Sequence, residues 1–227
     1  MRAHAERIVP SGEAIKPRLY ELSKRVVDLS VSLAALVCLS PVLLLCALAI
    51  RLDSPGPILF RQQRVGKHGK AFTMLKFRSM YAHAEATSHR EYVTAFIRGE
   101  AQAQAGDEGA VYKLTQDDRV TRVGRWLRRT SLDELPQLWN TLVGDMSLVG
   151  PRPPIPYEVD HYQPAHLGRL AVKPGITGLW QVSGRSSTTF EEMVAMDLEY
   201  IRACSLLADV WILVRTIPAV LQTRGAH

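Results

Sequence analysis

Two adjacent carboxylates, Asp133 and Glu134, stand just before a proline in residues 130–136 (TSLDELP). Pro136 is comfortable only in the first turn of a helix, so the sequence predicts a helix start here, with Asp133 close to the N-cap. Free backbone N–H groups and the positive end of the helix dipole would keep that carboxylate ionised and would attract phosphate oxygens. An ionised aspartate in such a place can act as a nucleophile.

The same segment also fits a capping box. Ser131 would cap the helix, and Glu134, three residues on, would reach back to it. In that arrangement the two carboxylates would only stabilise a helix end. Pro136 weakens this alternative, because it would fall at the fifth helical position and remove an internal hydrogen bond. The sequence leaves both interpretations open.

A Pro-rich turn at residues 150–154 (GPRPP) follows an apolar stretch typical of a strand. Its prolines make the turn rigid, and a rigid arginine, here Arg152, suits bidentate recognition of phosphate. Residues 173–180 and 182–185 form Gly-rich turns whose backbone amides could approach a nucleotide or pyrophosphate. Neither matches a P-loop or a dinucleotide fingerprint, so they indicate phosphate chemistry without naming the ligand.

Arginines recur at positions 119, 122, 125 and 128, a three-residue spacing that lines one side of a predicted helix. Such a stripe is either a solvated helix face or, beside a membrane, a surface that meets lipid headgroups or substrate phosphates. The spacing alone does not choose between them.

An apolar run from Val26 to Ile50 is the element that would hold this chemistry at a membrane. Its uncharged part, from Leu29 onward, would be about 33 Å long as a helix, just enough to span a bilayer. Pro41 should kink that helix, and the Ser40 hydroxyl can satisfy a freed backbone group. The sequence predicts a re-entrant helix broken at Ser40 and Pro41, with a kinked spanning helix as the alternative.

Basic residues flank this run on both sides, namely Lys24, Arg25, Arg51, Arg61, Arg64, Lys67 and Lys70. No end is therefore marked as the outer one, and we expect both ends to face the cytoplasm. A cleavable signal peptide is disfavoured, because the run starts late and no small-residue cleavage pattern follows it.

The length and net charge of the chain bound its domain organisation and its partners. The chain has 227 residues and a net charge of +6. We predict a loose tail over 1–20, the re-entrant helix over 21–51 and one compact domain over 52–227. The charge suits nucleic acid, anionic lipid or a phosphorylated small molecule, and the apolar run favours the last two. The three cysteines show no disulfide or zinc pattern.

Turn signals and apolar runs predict the rest of the fold. Runs at 58–60 and 72–75 indicate a short hairpin around Gly66 and Gly69. We also expect a helix within the alanine-rich residues 82–104, a polar loop over 105–110, and an interfacial or core helix over 206–221. The predicted fold class is α+β and mainly helical, with a re-entrant helix, interfacial amphipathic helices and a small strand element.

Taken together, these segments resemble the monotopic bacterial phosphoglycosyl transferases, also called bacterial sugar transferases, from about Lys24 to Val220. The resemblance rests on the basic-flanked run with Ser40-Pro41, residues 76–80 (KFRSM), 131–135 (SLDEL), 144–147 (GDMS), 150–153 (GPRP) and 173–178 (KPGITG), and Asp197, Tyr200, Asp209 and Arg215. So many segments in the right order are very unusual by chance.

The resemblance implies that a sugar phosphate is transferred from a UDP-sugar to polyprenyl phosphate, and that UMP is released. Asp133 matches the family's nucleophile, which forms a covalent phosphosugar intermediate and ligates Mg²⁺, and Glu134 matches the second dyad carboxylate. Lys76, Arg128 and Arg152 match phosphate-binding positions, with Arg185 a further candidate near the nucleotide. Asp197 and Asp209 either support the site or belong to structural ion pairs.

The resemblance also implies the setting: the bacterial inner (cytoplasmic) membrane, with the catalytic domain on the cytoplasmic face. Expected partners are the UDP-sugar, polyprenyl phosphate and membrane lipid, and homo-oligomerisation stays open. The enzyme would initiate a surface glycan such as exopolysaccharide, O-antigen or a glycoprotein glycan. The alternative is a non-enzymatic membrane-anchored adaptor that binds anionic lipid. No nucleic-acid partner is expected, because no binding module or aromatic stacking platform is visible.

Overall fold

The described part of the chain opens with two helices that meet at a bend. The computed structural model describes residues 18–82, 87–101, 104–106, 109–111, 117–184 and 188–221. Helix α1 is Arg18–Cys38 and helix α2 is Ser40–Asp53, and the two are bent by 62°. Helix α1 thus begins within the stretch 1–20 that the sequence predicts to be a tail, and residues 1–17 lie outside the described part.

The bend has a local cause. Pro41 lies in the first turn of α2, where a missing backbone N–H costs no hydrogen bond. The Ser40 hydroxyl donates to the Val37 carbonyl at 2.8 Å, so it satisfies a group at the end of α1. The bent N-terminal helix that the sequence predicts is therefore present.

By length and composition, none of the described helices alone could cross a bilayer, although the bent pair taken together could. Many large apolar side chains of α1 and α2 are exposed, among them Leu22, Val26, Leu33, Val37, Leu44, Leu45 and Leu48. An exposed apolar surface of this extent is typical of contact with lipid or a partner.

An antiparallel hairpin follows, as the sequence predicts. Strand β1 is Leu59–Val65 and strand β2 is Ala71–Phe77, and the register pairs Leu59 with Phe77 and Val65 with Ala71. This register places Lys76 of β2 opposite Phe60 of β1.

The remaining helices and strands follow the first hairpin. In chain order they are α3 Thr87–Ile97, β3 Gln104–Gly106, β4 Gly109–Val111, α4 Arg122–Arg129, α5 Gln137–Val143, β5 Ser147–Val149, α6 Pro156–Val159, β6 Gly175–Thr177, α7 Leu179–Ser183, α8 Phe190–Ala203 and α9 Leu206–Leu221. Strands β3 and β4 pair antiparallel, so the polar loop predicted over 105–110 is wrong, since most of it forms a small hairpin. Strands β5 and β6 pair in parallel. The predicted α+β class, mainly helical, is confirmed.

Helix α1 is bound to the rest of the protein by polar contacts. Asp28, buried on α1, accepts hydrogen bonds from the Leu148 N–H at 3.0 Å and from the Ser147 hydroxyl at 3.1 Å. Arg25 donates to the carbonyls of Thr141 and Leu142 at 2.6 and 2.7 Å. From the sequence Arg25 is only a flanking charge, whereas in the structure it satisfies carbonyls at the end of α5.

Helix α2 is bound to the same body at its other end. Its buried Cys46 and Ile50 pack against Phe77 of β2 and Leu127 of α4. Asp53, the last residue of α2, accepts a hydrogen bond from the Val123 N–H at 3.2 Å. Both ends of the bent pair therefore contact one domain.

Candidate active site

The carboxylate pair lies in a tight turn between α4 and α5. Ser131 takes a left-handed backbone conformation with φ of 55°, and residues 132–134 then form one 3₁₀ turn. Pro136 stands directly before α5, where it removes no helical hydrogen bond. The sequence predicts Asp133 close to the N-cap of a helix. In the structure Asp133 lies in the 3₁₀ turn that precedes Pro136, the N-cap of α5.

The capping-box alternative is not what the structure shows. The Ser131 side chain forms no capping hydrogen bond. Glu134 instead accepts a hydrogen bond from Lys76 Nζ at 2.7 Å, and both side chains are mostly buried. The second carboxylate is therefore held across the fold by strand β2 and does not reach back to its own turn.

Asn140 fixes the distance between this turn and strand β2. Its Nδ2 donates to the Thr73 carbonyl at 2.8 Å, and its Oδ1 accepts from the Leu75 N–H at 2.9 Å. This pair of bonds ties α5 to the exposed edge of β2. Lys76 is the next residue along the strand, so the clamp also positions its ammonium beside Glu134.

Asp133 is a buried carboxylate in a cationic setting. Its exposed fraction is 8%. Burial raises its pKa to about 6, and Glu134 pushes it in the same direction, while Lys76 and Arg128 pull it down. At neutral pH the group is mostly ionised, yet it is more basic than an ordinary aspartate. That combination suits a nucleophile.

Glu134 is shifted the other way. Burial alone would raise its pKa, but Lys76, Arg152 and Arg64 outweigh burial, and the net pKa is lowered. The two adjacent carboxyls therefore differ: Glu134 stays ionised and paired, whereas Asp133 carries the raised pKa. Such a split assigns different roles to neighbouring acids.

Arg128 reaches the site from α4, where its Nε donates to the Ser79 hydroxyl at 2.9 Å. The close approach of α4 to this segment requires Gly124, since a Cβ there would lie 2.0 Å from the Ser79 carbonyl oxygen. The predicted arginine stripe does not stay together. Arg119 precedes α4 and pairs with Asp117, and within the stripe Arg128 is the member whose charge acts on Asp133.

A small cleft opens beside Glu134. It is lined among others by Lys76, Arg64, Arg152 and Gly175. Its cationic lining suits a diphosphate. Residues 173–180, predicted as a Gly-rich turn, contain strand β6 and the start of α7 instead, and Gly175 of that strand forms part of this wall. Strand β6 is held there, because the Gly150 N–H donates to the Thr177 carbonyl at 2.9 Å.

Arg64 is a site residue that sequence reasoning missed, because it appeared only among the charges that flank the apolar run. It is buried, and its Nη1 donates to the Pro153 carbonyl at 2.7 Å, while Nε and Nη2 donate to Gln62 Oε1. Burial, and then the charge of Arg152, lower its pKa to about 10. Arg64 thus holds the turn that carries Arg152. The hairpin register, which is readable from the sequence, would have placed it near β2 but not inside the protein.

Two of the predicted residues, Asp197 and Asp209, do not line the cleft. Asp197 is buried on α8 in an ion pair with Arg169, whose Nη2 lies 2.7 Å from Asp197 Oδ2. Asp209 on α9 pairs with Lys24 at 2.8 Å and accepts from the Tyr200 hydroxyl at 2.6 Å. Both belong to structural ion pairs, the second of the two expectations. Arg185 lies outside the described residues.

A single protein carboxylate, Asp133, fits a Mg²⁺ ion whose other ligands would be water and the phosphate oxygens of the substrate. Mg²⁺ is usually bound by one or two protein carboxylates, with water and phosphate oxygens as the other ligands. Glu134 is engaged by Lys76, so Asp133 is the carboxylate that can serve. Among the described residues no three His, Cys, Asp or Glu side chains cluster to form a closed metal cage.

Comparison with known proteins gives a consistent result. Residues 19–223 match the model of the bacterial sugar transferase family. The chain is 40% identical to exopolysaccharide production protein ExoY of Sinorhizobium fredii, over 94% of this chain and 92% of that protein. It is 44% identical to the UDP-glucose:undecaprenyl-phosphate glucose-1-phosphate transferase of Caulobacter vibrioides, over 91% and 73%. It also matches the undecaprenyl-phosphate galactose phosphotransferase of Salmonella typhimurium at 41% identity, but spans only 41% of its length.

Proposed function

Because the chain belongs to the bacterial sugar transferase family, we propose that it transfers a sugar phosphate from a UDP-sugar to polyprenyl phosphate, with undecaprenyl phosphate the expected acceptor, and releases UMP. The observation that carries this proposal is the site itself. A buried aspartate with a raised pKa is the sequence neighbour of Glu134, which lines a cleft together with Lys76, Arg64 and Arg152. Such a site pairs a nucleophile with cations that can hold a diphosphate.

In the proposed reaction, a carboxylate oxygen of Asp133 attacks the sugar-proximal phosphorus of the UDP-sugar. The bond between that phosphorus and the bridging oxygen breaks, and UMP leaves with the electron pair. An oxygen of polyprenyl phosphate then attacks the same phosphorus and restores the Asp133 carboxylate. The product is a polyprenyl-diphosphate sugar, so atoms and charge balance without another reactant.

The neighbouring residues have separate tasks in this scheme. Lys76 holds Glu134 and faces the cleft, so one ammonium both fixes the second carboxylate and attracts substrate phosphate. Arg128 keeps Asp133 ionised, and Arg152 offers a rigid guanidinium to the diphosphate. Asp133 would hold Mg²⁺, which offsets the repulsion between an anionic nucleophile and an anionic diphosphate when it is bound.

The bent helix pair supports a membrane location in which the anchor enters and leaves through one face. Lys24 and Arg25 near one end and Asp53 at the other all bind groups of the same domain. The exposed apolar surface lies between these ends. A long-chain lipid phosphate and a soluble nucleotide sugar could then meet at the cytoplasmic face of the inner membrane, where we place the first step of surface glycan synthesis.

The adaptor alternative loses its main premise. It requires the carboxylate pair to serve only as a helix cap, and no such cap is formed by Ser131.

The test is UMP release by the purified chain reconstituted with Mg²⁺, polyprenyl phosphate and a panel of UDP-sugars. We expect one UDP-sugar to support UMP release. We expect Asp133→Asn to lower the rate of release by about 10³-fold or more, because the nucleophile is lost. Asp118→Asn is the matched control, since Asp118 is exposed. Persistent release by the Asp133 variant would overturn the proposed nucleophile, and a labelled phosphosugar on the wild-type protein would support the covalent step.

A further inference from the structure

Helix α4 carries a cationic surface that the proposed reaction does not use. Arg122, Arg125 and Arg129 are exposed, and Trp126, with 51% of its surface exposed, lies among them. The opposite side of α4 is formed by buried residues that include Leu127. We call the four exposed residues 122, 125, 126 and 129 the cationic surface.

The three arginines of this surface have no counter-charge among the residues that the structure describes. Within the part of the chain that the structure describes, none of them forms an ion pair or a side-chain hydrogen bond. Helix α4 contains no acidic residue. Arg128 lies on the same helix, but its side chain turns toward Ser79 and donates a hydrogen bond to its hydroxyl. Three neighbouring guanidiniums without a partner repel one another, and a bound anion would relieve that repulsion.

The position of α4 suggests which anion. Its N-terminal turn is bonded to Asp53, and Leu127 packs on Cys46 and Ile50 of α2. Helix α4 therefore lies beside the end of α2, where the apolar run gives way to charged residues. If the bent pair enters a bilayer, as the proposed function requires, α4 lies at the depth of the lipid headgroups. An exposed tryptophan such as Trp126 is typical of that depth.

We propose that the cationic surface binds the headgroups of anionic phospholipids. Guanidinium groups match phosphate geometry, and clustered basic residues at a membrane surface are attracted to anionic lipid. The surface is separate from the cleft, whose phosphate ligands would contact Lys76, Arg64 and Arg152 instead. Bound headgroups would hold α4, and with it Arg128, at a fixed depth in the headgroup region.

The test uses the full chain in phosphatidylcholine vesicles that contain a trace of pyrene-labelled phosphatidylglycerol or pyrene-labelled phosphatidylcholine. Energy transfer from the four tryptophans of the chain, of which Trp126 lies on the cationic surface, reports the lipid near the protein, and the arginine variants isolate the contribution of that surface. We expect transfer to the anionic probe to exceed transfer to the neutral probe by about twofold at low salt, and to fall toward the neutral level as salt rises. In Arg122→Gln/Arg125→Gln/Arg129→Gln the excess should disappear.

Two controls make the result specific. Replacement of the same three arginines by lysine should retain the excess, because the charge is kept. Arg61→Gln/Lys70→Gln/Arg98→Gln removes as much charge from exposed residues elsewhere and should also retain it. Equal transfer to both probes in the wild type, an unchanged excess in the triple glutamine variant, or an equal loss in the control triple would each overturn the proposal. UMP release measured in the same vesicles reports the proposed function separately.

Discussion

Glu134 accepts a 2.7 Å hydrogen bond from the ammonium of Lys76, which lies 58 residues earlier in the chain. The bond occupies the second carboxylate of the pair and ties the turn between α4 and α5 to strand β2. Asp133, its neighbour in sequence, has no such tie and carries the raised pKa. One residue of the pair is thus held, and the other is available to react.

The rate of UMP release should depend on pH through Asp133. Burial raises the pKa of this carboxyl to about 6, so the nucleophile is protonated below that pH and ionised above it. We expect kcat to rise as the pH increases through about 6 and then to level off. Rates measured between pH 4.5 and 8, at intervals of about half a pH unit, would show this rise. A flat profile across this range would contradict the assignment.

Glu134→Gln should move that limb to lower pH. The negative charge of Glu134 raises the pKa of Asp133, and its removal also frees Lys76 to stabilise the ionised aspartate. The midpoint of the profile is informative even if the rate itself falls, because it reports the neighbour's charge and not the step that Glu134 assists. Glu199→Gln, on an exposed part of α8, should leave the midpoint unchanged.

Asp133→Asn should stabilise the folded protein while it removes activity. The folded-state pKa of about 6 lies above the usual 3.8, so the folded form binds the proton more tightly, and stability falls as the pH rises from about 4 through 6. Asparagine resembles the protonated acid. The gain should therefore be on the order of 1–3 kcal/mol above pH 6 and near zero at about pH 4. Thermal unfolding of the wild type and the variant in detergent, at about pH 4 and at pH 8, tests this prediction. A variant less stable than the wild type at pH 8 would contradict it.

Arg64→Lys should weaken the use of the UDP-sugar without unfolding the protein. Lysine keeps the charge but cannot donate both to the Pro153 carbonyl and, through two nitrogens, to Gln62. We expect kcat/KM to fall by about 10–100-fold, the value of one lost charge-assisted hydrogen bond. Arg152→Lys combined with Arg64→Lys should cost less than the sum, because both act through one turn. Arg61→Lys, exposed on the same strand, is the control, and strict additivity would argue against coupling.

Cysteines placed at the two ends of the bent pair should be labelled from the same side of the membrane. Arg18→Cys and Pro57→Cys, in a chain whose native cysteines are replaced by alanine, should react with an impermeant maleimide in inside-out vesicles and not in right-side-out ones. Ser40→Cys, at the bend, should react only after detergent is added. Labelling of the two end positions from opposite sides would establish a spanning helix and remove the re-entrant topology.

Some of this site could be predicted because its determinants are local. The hairpin follows from the apolar runs around Gly66 and Gly69, and a helix start near Pro136 follows from that proline, although Asp133 lies in the 3₁₀ turn before the helix. Lys76 was a candidate through the resemblance alone, since nothing local says that a lysine on a strand will meet a carboxylate 58 residues later.

What could not be predicted depends on burial. Arg64 and Asp28 look like ordinary charges in the sequence, and only tertiary packing shows that each is buried and hydrogen-bonded to another segment. The even spacing of the arginines suggested one stripe, but α4 is shorter than that spacing implies, so Arg119 falls outside it and pairs locally. The charge pattern of the sequence indicates that basic side chains bind phosphate, but it does not show which of them line the cleft.

The contacts of α1 limit how the membrane anchor can be engineered. Arg25 and Asp28 satisfy backbone groups of α5 and β5, the elements on either side of the segment 144–147. The anchor is therefore a component of the folded domain and not an interchangeable tether. Replacing it with an unrelated membrane helix would leave those carbonyls and amides without partners, so a soluble or re-anchored version would have to rebuild this interface first.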